Sequence, residues 1–368
     1  MRRPLLAALA ALALAAPPAA ARPVETSAGT LDLSPVISGL SEPWAVGFLP
    51  GGGLLVTERD GRLLHVRRDG SRVSVSGLPQ VAARGQGGLL DVLVPRDFAR
   101  DRTIFLSYSK PQGRGAGTAL MRARLSEDGT RLEEVRDIFE TRAGTRGGQH
   151  FGSRIVEAAD GTLFLTIGDR GDGDLAQDAS IEAGSVVRVT RDGAVPADNP
   201  LVGREGAAQA LWSWGHRNPQ GAALGPDGAL WVVEHGARGG DEVNRVQRGR
   251  NYGWPVISYG RHYSGLRIGE GTAKEGMEQP AHYWDPSIAP SGAAFLDGGA
   301  IPAWEDDLFV GSLKFGLISR LDGDTMREIE RIEFDETARV RDVRQGPDGA
   351  LWFLSVGNGA LYRLGPAR

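Results

Sequence analysis

One short pattern, a polar turn followed by a run of apolar residues, occurs six times in this chain of 368 residues. The apolar runs contain aromatic and β-branched residues, which favour buried β-strands, and each turn predicts a hairpin. The six copies cover residues 51–57, 101–107, 160–166, 227–233, 305–311 and 348–354. A hairpin unit repeated at intervals of several tens of residues is typical of a propeller, whose sheets cover one another. The sequence therefore predicts an all-β fold, a six-bladed β-propeller.

The spacing of the copies is irregular, and the longest intervals lie before and after the fourth copy. The extra residues there predict long loops, and long loops on a rigid scaffold commonly carry binding sites. The 53 glycines agree with many tight turns. Because closed β architectures often exceed the usual domain size, we expect one domain rather than two.

The first residues differ from the rest of the chain. Two arginines are followed by an apolar stretch from Leu5 to Ala16 and by a segment of small residues that ends at Ala21. This order predicts a secretory signal peptide over residues 1–21, with the propeller occupying residues 22–368. The alternative, a permanent membrane anchor, is disfavoured because the stretch is shorter than the roughly 20 residues that a spanning helix needs. We therefore expect a periplasmic or secreted protein with no membrane span in its mature form.

The charge and cysteine content exclude some classes of function. The sequence has no cysteine, so neither disulfides nor thiolate metal sites contribute. Its formal net charge is −4, and removal of the two arginines of the predicted signal would make it −6. This mild acidity, without any basic tract, argues against nucleic acid as a partner.

Three of the six histidines lie in polar segments flanked by glycine, namely His150, His216 and His235. Imidazole is well suited to accept a proton near neutral pH, although each could instead hydrogen-bond a turn backbone. His150 precedes the third strand copy and Asp169 follows it, so both could face one pocket at the mouth of the central channel. Arg217 and Asn218 precede the fourth copy in the same way, although they could also serve only in a turn.

Two further groups could bind charged ligands. Residues 234–244 combine a flexible backbone with carboxylates, a donor set that suits calcium, although a charged surface loop is equally compatible. Arg339 and Arg341 alternate on a predicted strand and share one face, where they could hold an anion or face solvent. Lys314 is the remaining cation of interest.

Taken together, these segments resemble the soluble quinoprotein glucose/sorbosone dehydrogenases, which use pyrroloquinoline quinone (PQQ) and include periplasmic aldose sugar dehydrogenases. The similarity spans nearly the whole predicted mature chain. It rests on residues 43–45, 85–91, 147–154, 168–171, 215–221, 234–244, 251–255, 312–314 and 339–343. The family fold is a six-bladed propeller, in agreement with the repeat count.

The resemblance implies that the protein oxidises aldose sugars at C1 to lactones by transfer of a hydride to PQQ. His150 resembles the general base, and Asp169 resembles the carboxylate that orients it. Arg217 resembles the residue that polarises the accepting carbonyl, with Asn218 beside it at the cofactor. Gln86 resembles a residue near the sugar. Such a reaction also needs an external electron acceptor, a cytochrome or a quinone.

The resemblance also implies the cofactor contacts. Lys314, Arg339 and Arg341 resemble the residues that hold the carboxylates of PQQ, and Ser287 is assigned to the same site. The backbone carbonyls of Gly236 and Ala237 resemble the ligands of a calcium ion that also binds PQQ. Two acids of the same loop, Asp241 and Glu242, are expected in an outer shell or at a secondary metal site.

Two other functions remain open from the sequence. A calcium-dependent sugar lactonase on a similar propeller would need carboxylates as direct metal ligands and would have no use for three clustered cations. A non-catalytic binding module would be expected to lose the base or the cofactor contacts. The sequence does not indicate the preferred aldose or the oligomeric state.

Overall fold

A computed structural model describes residues 21–142 and 144–367 of the chain. Apart from residue 21, the predicted signal peptide lies outside the described residues. The described part is built almost entirely of β-strands, with helices of at most five residues. None of these helices is long and apolar enough to cross a membrane.

The strands form six sheets, and each sheet is one blade of a propeller. Four strands form each of blades 1 to 5, and blade 6 contains five. Blade 1 comprises β3 (Pro43–Phe48), β4 (Leu54–Glu58), β5 (Arg62–Val66) and β6 (Arg72–Ser74). Blade 2 comprises β7 (Leu89–Leu93), β8 (Thr103–Gln112), β9 (Gly115–Leu125) and β10 (Leu132–Glu140). Blade 3 comprises β11 (Ile155–Glu157), β12 (Leu163–Ile167), β13 (Ser185–Val189) and β14 (Leu211–Trp214).

The remaining blades continue this order. Blade 4 comprises β15 (Pro219–Leu224), β16 (Leu230–Glu234), β17 (Asp241–Val246) and β18 (His282–Trp284). Blade 5 comprises β19 (Pro290–Phe295), β20 (Leu308–Ser312), β21 (Ile318–Leu321) and β22 (Glu328–Ile332). Blade 6 comprises β23 (Val340–Gln345), β24 (Leu351–Ser355), β25 (Ala360–Gly365), β2 (Gly29–Ile37) and β1 (Arg22–Thr26). The helices are α1 (Phe98–Asp101) and three 3₁₀ turns, Gly173–Gln177, Pro302–Trp304 and Asp335–Thr337.

Every copy of the sequence pattern forms the second strand of a blade: β4, β8, β12, β16, β20 and β24. These strands are nearly continuous apolar runs because neighbouring blades cover both of their faces. All five residues of β4, β12, β20 and β24 are buried. The predicted six-bladed, all-β propeller is therefore confirmed.

The turns before these strands have the chemistry that the sequence indicated. In the turn before β12, Gly161 has a φ of +80° and Asp160 Oδ1 accepts a hydrogen bond from the Thr162 amide at 2.9 Å. The turn before β16 repeats this arrangement with Asp227 and Gly228, whose φ is +77°. A side chain that caps its own turn, followed by a left-handed glycine, favours the tight reversal.

Hydroxyl groups at one repeated position join neighbouring blades. Thr57, Ser107 and Thr166 are the fourth residues of the first three apolar runs, and all are fully or almost fully buried. Their hydroxyls donate to main-chain carbonyls of the next blade, at Leu90 (2.6 Å), Ser153 (2.6 Å) and Pro219 (2.9 Å). Buried hydroxyls need such partners, so these bonds fix the blades in relation to one another.

The ring is closed by strands from the two ends of the described chain. Strand β2 pairs antiparallel with β25, with Leu33 opposite Leu364, and β1 adds a fifth strand. The first strands of the blades pack against one another around the axis. The longest loop, between β17 and β18, covers residues 247–281 and follows the fourth copy, as the spacing predicted.

Candidate active site

A cavity of about 1120 Å³ opens at the end of the propeller where the second strands finish. Loops of blades 1, 4, 5 and 6 line it. Eight of the predicted site residues lie in this lining: Gln86, Asn218, Gly236, Ala237, Ser287, Lys314, Arg339 and Arg341. Five others lie behind it within the described residues: His150, Asp169, Arg217, Asp241 and Glu242.

His150 is held in a strained backbone conformation behind Gln86, which lines the cavity. Its φ is +55°, a region that residues other than glycine rarely adopt and that often marks functional sites. Gly168 allows this conformation, because a Cβ there would lie 2.2 Å from the His150 carbonyl oxygen. The His150 amide donates to Gln86 Oε1 at 2.8 Å, so the predicted sugar-site glutamine fixes the predicted base.

The His150 ring is oriented by a buried carboxylate. Its Nδ1 lies 2.6 Å from Asp169 Oδ1, and the exposed fractions of the two side chains are 11% and 2%. An ionised carboxylate selects the tautomer with the proton on Nδ1 and leaves the Nε2 lone pair free. Within the described residues Nε2 has no hydrogen-bond partner. The geometry therefore suits a general base.

Asp169 has two further donors that hold it in place. The Gly171 amide donates to Oδ1 at 2.7 Å, and Trp254 Nε1 donates to Oδ2 at 2.8 Å. Trp254 belongs to a segment that supported the resemblance, but no role was predicted for it from the sequence. Its nearness to Asp169 depends on the folding of the long loop of blade 4.

The other two candidate histidines are engaged elsewhere. His216 is fully buried, with Ser213 Oγ 2.9 Å from Nε2 and Glu234 Oε1 2.8 Å from Nδ1. His235 lines the cavity, and its Nε2 donates to the Pro290 carbonyl at 2.7 Å. Burial lowers the pKa of His235 to about 3, and the nearby Arg217 charge contributes. Of the three, His150 has the geometry of a base.

Arg217 lies beneath the cavity wall. Its guanidinium donates to the carbonyl of Gly236 and stacks over Trp254, with 5.2 Å between the guanidinium carbon and the ring centre. Its Nε is buried and has no partner among the described residues. The Arg217 amide donates to Glu234 Oε2 at 2.6 Å, which fixes the main chain there.

Asn218, the next residue, is almost fully buried. Its Oδ1 accepts hydrogen bonds from the Gly152 amide at 3.3 Å and from Gln220 Nε2 at 3.1 Å. Gln220 in turn accepts a hydrogen bond from Arg341 at 2.8 Å. The sequence missed this glutamine, which connects the base side of the site to the cations.

The three predicted cations face the cavity together, although they come from two blades. Lys314 Nζ donates to the Ser287 carbonyl at 3.2 Å, and Arg339 donates to the Leu313 carbonyl at 3.1 Å. Burial lowers the pKa of Arg341 to about 9, and the charge of Arg339 adds to the effect. Positive charges brought together in this way favour an anionic ligand.

The loop between β16 and β17 places the predicted calcium ligands. Gly236 and Ala237 lie on the cavity wall. Asp241 instead braces the loop: it accepts hydrogen bonds from the Gly236 amide (2.8 Å), Ser287 Oγ (2.5 Å) and the Ala289 amide (2.8 Å). Burial raises the pKa of Asp241.

Glu242 lies behind this loop. It accepts a hydrogen bond from Asn244 at 3.1 Å and lines a small void that Arg217 also lines. Burial, together with the charge of Glu234, raises the pKa of Glu242 to about 8. The described residues contain no group of three or more histidines and carboxylates arranged to hold a metal ion. Any cation here would therefore depend on main-chain carbonyls.

A buried ion cluster lies among the first strands near the axis. Arg154 pairs with Asp91 at 2.9 Å and Asp342 at 3.0 Å, and Arg344 pairs with Asp91 at 2.7 Å. The Arg154 guanidinium also stacks on Trp44, which lines the cavity. This cluster could not be predicted from the sequence, because its members are far apart in the chain.

Comparison with known proteins shows the family of this chain. The sequence profile of the Glucose / Sorbosone dehydrogenase family matches residues 40–363. The chain belongs to this family. The match includes all six copies of the repeated pattern and all predicted site residues, as the resemblance implied.

Several family members are similar over nearly their whole length. Aldose sugar dehydrogenase YliI of Escherichia coli is 44% identical over 336 residues, which are 89% of this chain and 91% of that protein. The structure of the soluble aldose sugar dehydrogenase of Escherichia coli in its apo-form has a TM-score of 0.88 at 41% identity, covering 92% of this chain and 100% of the other. The PQQ-bound aldose sugar dehydrogenase of Streptomyces coelicolor has a TM-score of 0.75 at 26% identity, covering 95% and 99%.

Proposed function

We propose that this protein is a PQQ-dependent aldose sugar dehydrogenase that oxidises sugars at C1 to lactones. The observation that carries the proposal is the buried His150–Asp169 pair, 2.6 Å apart, beside a cavity lined by Lys314, Arg339 and Arg341. A base with a free nitrogen next to an anion site suits removal of a hydroxyl proton from a sugar that lies beside an anionic redox cofactor. The relatives named above are aldose sugar dehydrogenases, one of them in a PQQ-bound form, and this supports the oxidation of an aldose with PQQ.

The residues of the cavity fit PQQ, which carries three carboxylates. Arg341 is half-buried and lies near Arg339, and both residues line a cavity where an anion would compensate their charge. Lys314, Arg339 and Arg341 would hold the carboxylates, with Asn218 and Ser287 on the walls. When bound, PQQ supplies the quinone that accepts a hydride from C1 of the sugar.

The side chains of the protein have separate tasks in this scheme. His150 Nε2 takes the proton of the anomeric hydroxyl, and Asp169 stabilises the resulting imidazolium charge. Arg217 provides a fixed positive charge where negative charge develops, and its unpartnered Nε is available for a further acceptor. Gln86 holds His150 through its main chain and faces the sugar side of the cavity.

The carbonyls of Gly236 and Ala237 would contribute to a calcium site beside the bound PQQ. This donor set suits calcium, which accepts main-chain carbonyls in flexible geometry. Asp241 would support that site from behind by holding the Gly236 amide. Glu242 would lie in the outer shell.

We place the mature protein in the periplasm or outside the cell, on the basis of the predicted signal peptide over residues 1–21. The electrons would pass to an external carrier. A lactonase and a non-catalytic binding module are the outcomes that a negative test would favour.

The proposal is tested by dye-linked dehydrogenase activity of the purified apo-protein, titrated with PQQ and with calcium against a panel of aldoses. Activity that requires PQQ is expected, and His150→Ala should abolish it while the affinity for PQQ, measured by absorbance, stays close to wild type. Activity without PQQ, or no PQQ binding at all, would overturn the proposal. Lactone hydrolysis measured in parallel would then identify a lactonase.

A further inference from the structure

Three arginines lie side by side on a small β-ribbon at the mouth of the cavity. Arg238 pairs with Arg261 in an antiparallel bridge, and Arg261 pairs with Arg267 in a second one. The main chains of Arg238 and Arg261 exchange two hydrogen bonds, of 3.0 and 3.1 Å. Directly opposed residues project from the same side of a ribbon, and like charges in that arrangement are destabilising. We call these three residues the arginine row.

The charges of the row are largely uncompensated. Within the described residues, the side chains of Arg238 and Arg261 form no hydrogen bond and no ion pair, and Arg267 donates only to the carbonyl of Glu270. The cavity lining as a whole contains six arginine or lysine residues and two carboxylates, of which Glu42 is paired with Arg59. This concentration of positive charge occurs in a chain of net charge −4.

The tip of the same ribbon exposes large apolar side chains. Residues 262–266 form a tight turn in which the His262 amide donates to the Leu266 carbonyl at 2.8 Å. The exposed fractions are 75% for Tyr263 and 70% for Leu266, the two highest among the large hydrophobic side chains of the described residues that are exposed. Tyrosine and arginine together are the composition typical of protein interfaces.

We infer that the arginine row and its tip form the docking surface for an acidic protein that carries one electron at a time. The inference rests on the proposed function. Oxidation of an aldose to its lactone releases two electrons and two protons, so two carrier molecules are reduced in succession and the protons pass to water. The cavity mouth is the exposed route to a cofactor bound inside, and a basic surface there attracts an acidic carrier.

A small anionic sugar is the competing occupant, and the structure favours the protein. Arg267 and Leu266 lie outside the cavity lining, whereas Arg238, Arg261 and Tyr263 belong to it. The charged and apolar groups therefore continue from the mouth onto the outer surface. A single sugar substituent could reach only the inner part of this surface, whereas a protein covers all of it.

The test uses the double variant Arg238→Gln/Arg261→Gln in the protein loaded with PQQ and calcium. The control, Arg68→Gln/Arg204→Gln, removes two exposed arginines that form no side-chain hydrogen bond or ion pair among the described residues. Arg68 and Arg204 follow β5 and β13, at the ends of those strands opposite to the cavity. Stopped-flow absorbance measures reoxidation of the sugar-reduced protein by plastocyanin, an acidic carrier, and by cytochrome c, a basic one.

We expect the double variant to lower the second-order rate with plastocyanin about tenfold at low ionic strength. The rate of the control variant with plastocyanin and the rate of the double variant with cytochrome c should not fall. About 0.1 M salt should remove most of the difference in plastocyanin rate between the double variant and the wild type, because the Debye length is then about 10 Å. Tyr263→Ser should weaken plastocyanin binding measured by calorimetry, an assay that needs no turnover.

An unchanged plastocyanin rate and affinity would overturn the inference. An equal loss with both carriers would also overturn it, because a charge-specific surface must distinguish them. If the double variant had a raised KM for glucose 6-phosphate but not for glucose, and an unchanged rate with plastocyanin, the arginines would belong to a substrate subsite instead. Absence of sugar-dependent reduction in the wild-type protein would contradict the proposed function instead, and calorimetry would still test the docking surface.

Discussion

Asp169→Asn tests the role of the carboxylate that orients His150 with the smallest change in side-chain volume. The carboxylate accepts three hydrogen bonds, from His150 Nδ1 and the Gly171 amide on Oδ1 and from Trp254 Nε1 on Oδ2. An asparagine has one acceptor oxygen and one donor group in their place. If the amide nitrogen of the asparagine lies near Trp254, two hydrogen-bond donors, this nitrogen and Trp254 Nε1, face each other. With that nitrogen near His150 it leaves the Gly171 amide unpaired and selects the tautomer that carries the proton on Nε2.

The expected fall in kcat follows from the loss of the Asp169 carboxylate. Either orientation removes the negative charge that stabilises the imidazolium formed when His150 accepts a proton, and the second also blocks the accepting nitrogen. General-base catalysis contributes roughly 10²–10⁴ in rate, and loss of the orienting carboxylate of a catalytic histidine reaches the upper end of that range. We therefore expect kcat to fall by about 10²–10⁴, which corresponds to about 3–5 kcal/mol of transition-state stabilisation.

The assay is the single-turnover rate of cofactor reduction, measured after the protein loaded with PQQ and calcium is mixed with glucose without an acceptor. The affinity for PQQ should stay within about twofold, because Asp169 does not line the cavity. Asp172→Asn, at an exposed carboxylate three residues further on, is the matched control and should leave the rate unchanged. A rate for Asp169→Asn within threefold of wild type, or a PQQ affinity that falls as much as the rate, would refute the assigned role.

Three other outcomes are expected. Lys314→Gln should weaken PQQ binding by about 10–100-fold, which corresponds to the loss of one charge-assisted hydrogen bond. The single-turnover rate at saturating PQQ should change little. Equal losses of affinity and rate would contradict separate roles for Lys314 in cofactor binding and His150 in proton transfer. Burial lowers the pKa of His65, whose Nδ1 lies 3.1 Å from the Gly129 carbonyl of the next blade. Protonation of His65 is therefore less favourable in the folded protein than in the unfolded chain. The stability of the fold should fall as pH drops below about 6.5. His65→Gln should reduce the loss of Tm between pH 7 and 5. Trp304→Ala should lower the free energy of unfolding, measured by urea titration, by about 3–5 kcal/mol, because the side chain is fully buried. A loss below about 1 kcal/mol would mean that the residues around position 304 close the space and leave no cavity.

The local pattern was sufficient to predict the blades. Six turn-and-strand units could be read directly, because a strand covered on both faces must be apolar throughout and a tight turn needs particular residues. Each unit became the second strand of a blade. Closure of the ring by β2 and β25 could not be read, because their pairing joins residues more than 300 positions apart.

Some features of the candidate site could likewise be predicted from the local sequence, and others could not. The expectation that His150 and Asp169 share a pocket came from their positions on the two sides of one strand, and the resemblance supplied the roles proposed for them; the structure places them 2.6 Å apart. The contact of Trp254 with Asp169 comes from the long loop of blade 4, and the contact of Gln220 with Arg341 joins the first strands of blades 4 and 6. The local sequence does not specify which loop or strand of one blade reaches which part of another.

The sequence by itself determined the type of fold and the family, and it supplied the candidate groups of the site, because each depends on residues that are neighbours in the chain or on a short pattern repeated along it. The tertiary structure decided which of those groups face the cavity. It placed Asp241 and Glu242 behind the loop that carries Gly236 and Ala237, and it aligned three arginines at the mouth. These arrangements depend on the packing of blades and long loops around the axis, where contacts between distant residues determine the direction of each side chain.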